Sequence, residues 1–348
     1  MKKIFSKKFN PSYLGRSAKW KKDIADEQKR LSKLQKPFTK KIDACPICKS
    51  NESTFFCEIF SYFYKECSYC GHIFSESVLP QENLESYYSS LEDIKSVQTD
   101  IYLDKKIFLK RVKQIADPKV DFVIKYANLD NPNNLWVDIG AGPGEIVFSA
   151  KNKGLNCIGY EIDAEAVMFA KDMGINVEKS TINENFDFNI FKTVGLISLM
   201  NVLEHIENPK SFLFKISKNT KVGSYLLIEV PRTPSLSSYI NKLFPDYSNR
   251  HIYPPDHLHI FSDESLNNII SESCYVVETA WFFGQDFIDL CTVLSIDGEL
   301  EEDSNFNKIY KCSDEIQNIF DKNNLSDTVL VLARKAEQKN ALMDQGIS

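Results

Sequence analysis

Downstream of residue 134, short apolar runs alternate with stretches whose apolar residues recur three and four positions apart. The runs at 135–138, 157–161, 175–178, 194–200 and 224–230 are nearly continuous in apolar residues. Strands covered on both faces require that pattern. Between them, a spacing such as Ile146, Val147 and Ala150 collects apolar side chains on one side of a helix. Strict alternation of the two patterns predicts an α/β domain built on a parallel sheet. The stretch 231–262, with five prolines, interrupts the alternation and reads as loop. After it the pattern predicts a helix opened by Ser262-Asp263, a strand at 275–282 and a last strand at 328–334. Segment 284–327 is acidic and fits no place in the alternation.

Upstream, the chain divides by pattern into shorter pieces. Residues 1–41 form a basic arm with one helical stretch, whose Trp20, Ile24, Leu31 and Leu34 share a face suited to packing on the body or a partner. Residues 42–76 form a compact Cys-rich module. A polar connection containing Tyr87 and Tyr88 and an amphipathic helix from Phe108 to Tyr126 occupy 77–126. That helix leads through an Asn-Pro-Asn-Asn turn into the α/β domain, 127–335, and a tail, 336–348. No segment repeats.

Charge is unevenly placed. Residues 1–42 carry 14 Lys and Arg against three acids, a net of +11, so the remainder carries −17 to reach the chain total of −6. A basic arm on an acidic body can touch nucleic acid, anionic lipid or the body itself. No apolar run is long enough to span a bilayer, and no apolar core follows the basic start as a secretion signal needs. A cytoplasmic location is therefore expected, where the nine cysteines stay reduced and paired Cys spacings read first as metal sites.

The chemistry is densest at Val137-Asp138-Ile139-Gly140-Ala141-Gly142-Pro143-Gly144, with Glu161 standing 21 residues after Gly140. Alternate glycines make a tight turn where backbone approaches a ligand closely. An acid at the tip of the next strand suits the paired hydroxyls of an adenosine ribose. A dinucleotide fingerprint needs a third glycine where this chain has Glu145. Asp138 would repel a pyrophosphate and attract an ammonium group. The run resembles the first motif of the Rossmann-like (class I) S-adenosylmethionine-dependent methyltransferases, over roughly residues 105 to 335. That resemblance implies a seven-stranded sheet ending in an antiparallel hairpin strand, with S-adenosylmethionine held by Asp138, Gly140, Gly142, Gly144, Glu161 and Asn201. Asn201 opens Asn201-Val202-Leu203-Glu204-His205 at the end of the fourth strand, where the family places a cofactor-lining Asn or Asp ahead of a Glu-His that faces the active site.

Cys45-Pro-Ile-Cys48 and Cys67-Ser-Tyr-Cys70 are separated by 18 residues, with Gly71 permitting the second knuckle turn. Two such pairs match a zinc ribbon, a closed structural Zn²⁺ site with no open position for catalysis. Cys57 and His72 are left over, the first expected as a buried thiol and the second as a solvated neighbour.

Three of the five histidines cluster in the proline-stiffened run from Arg250 to Ser262. Methyl transfer from a sulfonium is an in-line displacement, so holding the acceptor in line supplies much of the acceleration. A positioned base adds roughly 10²–10⁴-fold when the acceptor loses a proton. His257, oriented by Asp256, is the first candidate, His205 the second, and Tyr253 a polariser. A zinc ribbon ahead of such a domain, with Asp256-His257-Leu258 and Phe261-Ser262 downstream, is similar to the sugar methyltransferases of deoxysugar and surface-polysaccharide clusters. In the sugar C-methyltransferases of that group a Tyr-x-Glu-His element with a further His, which falls on His205, handles the proton. Its Glu falls on Asp256 and its His on His257, but its Tyr position is Pro254, and those enzymes carry a larger C-terminal domain. The resemblance thus implies a small, sugar-containing acceptor methylated on O, N or C. Two readings compete: a ribbon-bearing RNA base methyltransferase, favoured by the arm and opposed by the acidic body, and a cofactor-binding protein without turnover.

Overall fold

A computed structural model describes residues 1–6, 18–80, 102–128, 134–180, 186, 188–247, 250–298, 300 and 304–337. Its strands are β1 (Lys2–Phe5), β2 (Lys40–Lys41), β3 (Ser53–Ile59), β4 (Tyr62–Cys67), β5 (Ile73–Ser75), β6 (Ser77–Val78), β7 (Leu135–Ile139), β8 (Cys157–Glu161), β9 (Val177–Lys179), β10 (Val194–Met200), β11 (Tyr225–Thr233), β12 (His259–Ser262), β13 (Tyr275–Phe283) and β14 (Thr328–Lys335). The central seven run β9-β8-β7-β10-β11-β14-β13. The first five are parallel, and β14 inserts antiparallel between β11 and β13. All nine residues of β11 are buried, which is why it reads as an unbroken apolar run rather than an alternating one.

Helices between the strands begin where the sequence provides caps. Asp163 accepts from the Glu165 and Ala166 amides to open Ala164–Asp172, Asn208 opens Pro209–Asn219, and Ser262 opens Asp263–Glu272 as its sequence predicts. The expected helix ahead of the sheet is present as Lys105–Arg111 and Asp117–Tyr126, joined by a π-helical turn at Val112–Ala116. Pro118, which has no N–H to give, follows directly.

Four departures from the sequence reading matter for the site. Residues 2–5 of the arm are not helical but form β1, an eighth strand parallel to β13. In the arm helix, Ala18–Gln35, Ile24, Gln28, Leu31 and Ser32 are buried but Leu34 is exposed, so the inward stripe excludes it; the Trp20 side chain lies outside the described residues. The stretch 231–262 is not all loop: β11 runs on to Thr233, and Leu236–Leu243 and β12 follow. Segment 284–327 folds as helices Asp286–Asp297, Ser304–Lys311 and Ser313–Lys322. Tyr87, Tyr88, most of the Asn-Pro-Asn-Asn turn and residues 338–348 lie outside the described residues.

The Cys-rich strands β3, β4 and β5 do not stand apart. β5 pairs antiparallel with β12, and β12 pairs with the last two residues of β11. One continuous sheet therefore carries the Cys-rich strands to the carboxyl end of the central strands. The packing agrees: Cys45, Cys67, Cys70 and Phe74 share a core with Leu199, Val230 and Phe261.

Candidate functional site

A cavity of about 600 Å³ opens at the carboxyl ends of β7, β10 and β11, where ligands of open α/β sheets bind. One wall is the turn after β7. Gly140 and Gly142 adopt φ of +69° and +54°, which side chains rarely accept. A Cβ on Gly140 would strike Val202 at 2.5 Å, whereas one on Gly142 meets nothing within 4 Å. Gly142 is therefore bare for lack of backbone freedom and faces open space.

Two acids meet this turn. Asp138 lines the cavity yet is almost wholly buried, and accepts from Ser198 Oγ, itself the acceptor for Trp136 Nε1 at 2.7 Å. Burial pushes its carboxyl up to about 7; the Ser198 bond and the Lys119 charge oppose the rise, while Glu161 and Glu145 add to it. Glu161 accepts three backbone N–H groups, from Gly142 at 2.7 Å, Ile162 at 2.7 Å and Asp163 at 2.9 Å. Burial still raises its pKa, partly offset by those bonds. Gly144, third of the run, has φ +85° and precedes the helix Glu145–Asn152. Glu145, the residue in the way of a dinucleotide fingerprint, pairs with Arg111, whose guanidinium lies 4.2 Å over the Tyr102 ring.

Asn201 follows β10 in a left-handed conformation, φ +53°. Its Nδ2 donates to Glu229 Oε1 at 3.1 Å, and Glu229 Oε2 lies 2.6 Å from Lys119 Nζ. Asn201, Glu229 and Lys119 all line the cavity. This buried ion pair went unnoticed in the sequence; an acid closing the apolar run Leu226-Leu227-Ile228 was the available signal.

The opposite wall gathers the histidines. The rings of His205 and His257 meet edge-on at 4.6 Å, and Tyr253 packs on His257 at 4.0 Å. His205 Nδ1 lies 3.0 Å from the Asp256 carbonyl, and His257 Nδ1 lies 3.0 Å from the His251 carbonyl. The expectation that Asp256 orients His257 is thus corrected: a carbonyl of His251 does so, and Asp256 holds His205 through its backbone. Burial lowers both imidazoles, His205 to about 4. His72 is also not solvated but fully buried, its Nε2 3.1 Å from His259 Nδ1, while His259 Nε2 reaches the Ile206 carbonyl at 2.9 Å.

The Cys-rich strands brace this wall. Tyr64 of β4 donates its hydroxyl to the His257 carbonyl at 2.8 Å, and the Ser75 amide of β5 donates to Leu258 at 2.9 Å. Ser32 of the arm helix donates to the Pro254 carbonyl, so the arm packs on the body here, and Ile24 and Gln28 line the cavity. From the 284–327 segment, Asp289 and Asp327 pair with Arg250, which draws the Asp327 carboxyl below its usual range. Asp286, beside Asp327, is instead raised to about 8 by burial and that like charge.

Cys45, Cys48, Cys67 and Cys70 place all four Sγ atoms within 4.8 Å of one another, with 3.7 Å between Cys45 and Cys70 and 3.5 Å between Cys48 and Cys67. Tetrahedral thiolates around one Zn²⁺ stand about 3.8 Å apart, so the donor set fits a closed metal centre. Cys57 is the expected buried thiol, pushed up to about 12 by burial. Among the described residues, no helix is long and apolar enough to cross a membrane.

The sequence profile described as a methyltransferase domain matches residues 108–278. Over 120 residues the chain is 25% identical to the ubiquinone biosynthesis O-methyltransferase of Erwinia tasmaniensis, covering 33% of this chain and 49% of that protein. It thus spans about half the length of that curated relative. Among solved structures it is similar to a SAM-dependent methyltransferase from Archaeoglobus fulgidus, with 22% identity, a TM-score of 0.40 and coverage of 66% of this chain and 99% of that one. It is also similar to magnesium protoporphyrin IX methyltransferase from Synechocystis PCC 6803, with 11% identity, a TM-score of 0.47 and coverage of 74% and 100%. With the strand order β9-β8-β7-β10-β11-β14-β13 and this profile match, the chain carries the class I fold of the S-adenosylmethionine-dependent methyltransferases.

Proposed function

We propose that this protein transfers a methyl group from S-adenosylmethionine to a small, sugar-containing acceptor. The observation that carries the reading is the pairing of acids on one glycine turn: Asp138 lines the cavity with the bare backbone of Gly140 and Gly142, and Glu161 is tied to the same turn through the Gly142 amide. A ligand that satisfies both acids offers a cation and a diol, and a methyl donor with an ammonium, a sulfonium and a ribose has both. Asp138 takes the amine, Glu161 the ribose hydroxyls, and Gly140, Gly142 and Gly144 let the backbone close on the adenosine. Asn201, held by Glu229, lines the donor between them.

The acceptor occupies the remainder of the cavity, against His205, His257 and Tyr253. Its wall mixes aromatic side chains (Phe244, Tyr247) with hydrogen-bonding ones (Arg250, Gln285, Asp289), as a hydroxyl-rich ring with flat apolar faces requires. Displacement at the methyl carbon transfers CH₃ from sulfur to the acceptor and leaves S-adenosylhomocysteine, while the acceptor gives up a proton. The chain's share is alignment and dehydration of the reactants. The four thiols would hold Zn²⁺ and stiffen the strands that brace the His257 loop. An RNA base substrate is disfavoured because the arm helix docks on the body, where Ser32 donates to Pro254 and Lys29 pairs with Asp246.

Thermal shift and calorimetry test the donor assignment. S-adenosylhomocysteine should stabilise the protein and bind with one site. Stabilisation by a nicotinamide or flavin nucleotide instead of that product overturns the assignment.

A further inference from the structure

We propose that Glu204, His205 and His257 form a second metal site, for a divalent first-row cation, in the wall that meets the acceptor. One donor atom from each of the three lies within 4.8 Å of the other two. Glu204 and His205 come from the short turn after β10, and His257 comes from the loop before β12. The two pieces are locked together by the Leu258 amide, which donates to the Glu204 carbonyl at 2.8 Å. The cluster is thus a product of the tertiary fold and not of adjacency in sequence.

Both imidazoles are prepared as ligands. Each directs Nδ1 at a backbone carbonyl, His205 at Asp256 and His257 at His251. A ring that donates from Nδ1 keeps its lone pair on Nε2, and a backbone carbonyl behind the ring is the usual support of a metal-bound histidine. Tyr64 in turn fixes the His257 carbonyl from the ribbon.

Glu204 supplies the independent observation. Its side chain is fully buried, and neither carboxylate oxygen has a hydrogen-bond partner. Two other buried acids are provided for: Glu161 accepts three amides, and Glu229 accepts from Asn201 and faces the Lys119 cation across 2.6 Å. A buried carboxyl with no donor either keeps its proton or is completed by a cation, and the two imidazoles beside it supply the rest of a cation's shell. Two imidazoles and one carboxylate on one side of an ion suit Zn²⁺, Fe²⁺, Mn²⁺ or Co²⁺ and leave open positions. His205 and His257 line the cavity, so an ion they share with the buried Glu204 would be reached from it. An acceptor with oxygens on neighbouring carbons, a vicinal diol or hydroxyketone, would fill the open positions and present one oxygen to the donor. This last step rests on the methyl-transfer reading; the cation site does not.

Mn²⁺ tests the site, because it prefers N and O donors to the ribbon thiols. The full chain, freed of loosely held metal by mild chelation, should bind one Mn²⁺ in an electron paramagnetic resonance titration, with echo modulation from two imidazole nitrogens. Glu204→Gln and His257→Ala should each weaken Mn²⁺ at least about tenfold, with S-adenosylhomocysteine affinity kept by calorimetry. Absence of a nitrogen-coupled Mn²⁺ in the parent chain overturns the proposal, as does equal Mn²⁺ affinity in Glu204→Gln. Should Mn²⁺ bind where S-adenosylhomocysteine does not, the metal site stands and the methyl-transfer reading falls; the reverse result separates them the other way.

Discussion

The two ends of the cavity are built by different means. The donor end is nearly contiguous: Asp138, the glycine turn and Glu161 lie on two adjacent strands and the loop between them, and they act largely through backbone geometry. The acceptor end draws its walls from the arm helix, the turn after β10, the loop before β12 and the 284–327 helices. It is braced by ribbon strands that no local pattern connects to it. A turn that must approach a ligand tolerates few residues, so its chemistry is written in consecutive letters. A wall made of side chains from four separate places can be rebuilt without disturbing the fold, and that is where specificity is free to vary.

The sharpest way to break this contrast is at Gly142. Its φ of +54° and the empty space above its Cβ position mean that substitution brings backbone strain of about 1–2 kcal/mol, plus whatever the side chain displaces. Gly142→Ala should therefore lower folding stability by about that strain, and Gly142→Arg, which fills the mouth, should weaken S-adenosylhomocysteine by about 100-fold or more. Circular dichroism should show both still folded. Parent-like affinity in Gly142→Arg, measured by calorimetry, would remove the glycine turn from the donor site.

A smaller effect on binding and a larger one on turnover are expected from Cys67→Ser. Loss of one thiolate should release the ribbon metal and soften β4 and β5, whose Tyr64 and Ser75 hold the His257–Leu258 backbone. Elemental analysis should find the zinc gone. S-adenosylhomocysteine affinity should change less than about threefold, because β7 and β8 share no strand pairing with the ribbon. If donor affinity collapses along with the metal, the two ends are one cooperative unit and the contrast drawn above is mistaken.

What could be read from sequence follows the same division. Asp138-x-Gly140-x-Gly142-x-Gly144 and the two Cys-x-x-Cys pairs report local backbone needs, and the structure brings each group together at one place. The order of the buried strands was legible because continuous apolar runs admit few alternatives. The role of the ribbon as a wall was not, since the β5–β12 pairing joins residues nearly two hundred positions apart. His72 looked like a surface neighbour of Cys70 for that reason; only the packing of β12 against β5 buries it on His259. Asp256 looked like the partner of His257 because it stands beside it, yet the Pro254-Pro255 bend directs its carbonyl at His205 instead. Glu204 and Glu161 are both acids following apolar strands, and no spacing distinguishes the one with three amide donors from the one with none.

The subtlest difference between the ends is electrostatic, and Asp138 exposes it. Its carboxyl titrates near 7 because burial outweighs the Ser198 bond and the Lys119 charge, with Glu161 and Glu145 on the same side as burial. An unfolded Asp titrates near 3.9. The folded chain therefore keeps a proton that the unfolded chain has lost, and the unliganded protein should lose stability as pH rises from about 4 to about 7. A cationic donor reverses the preference, since it binds the ionised form. Affinity for S-adenosylhomocysteine, whose amine is charged throughout this range, should fall about tenfold between pH 8 and pH 6. Asp138→Asn keeps an acceptor for Ser198 but has no charge to lose. Its affinity should sit near the low-pH value of the parent and stay flat across the range. The same slope in Asp138→Asn would assign the titration to another group and leave the donor's amine without its partner.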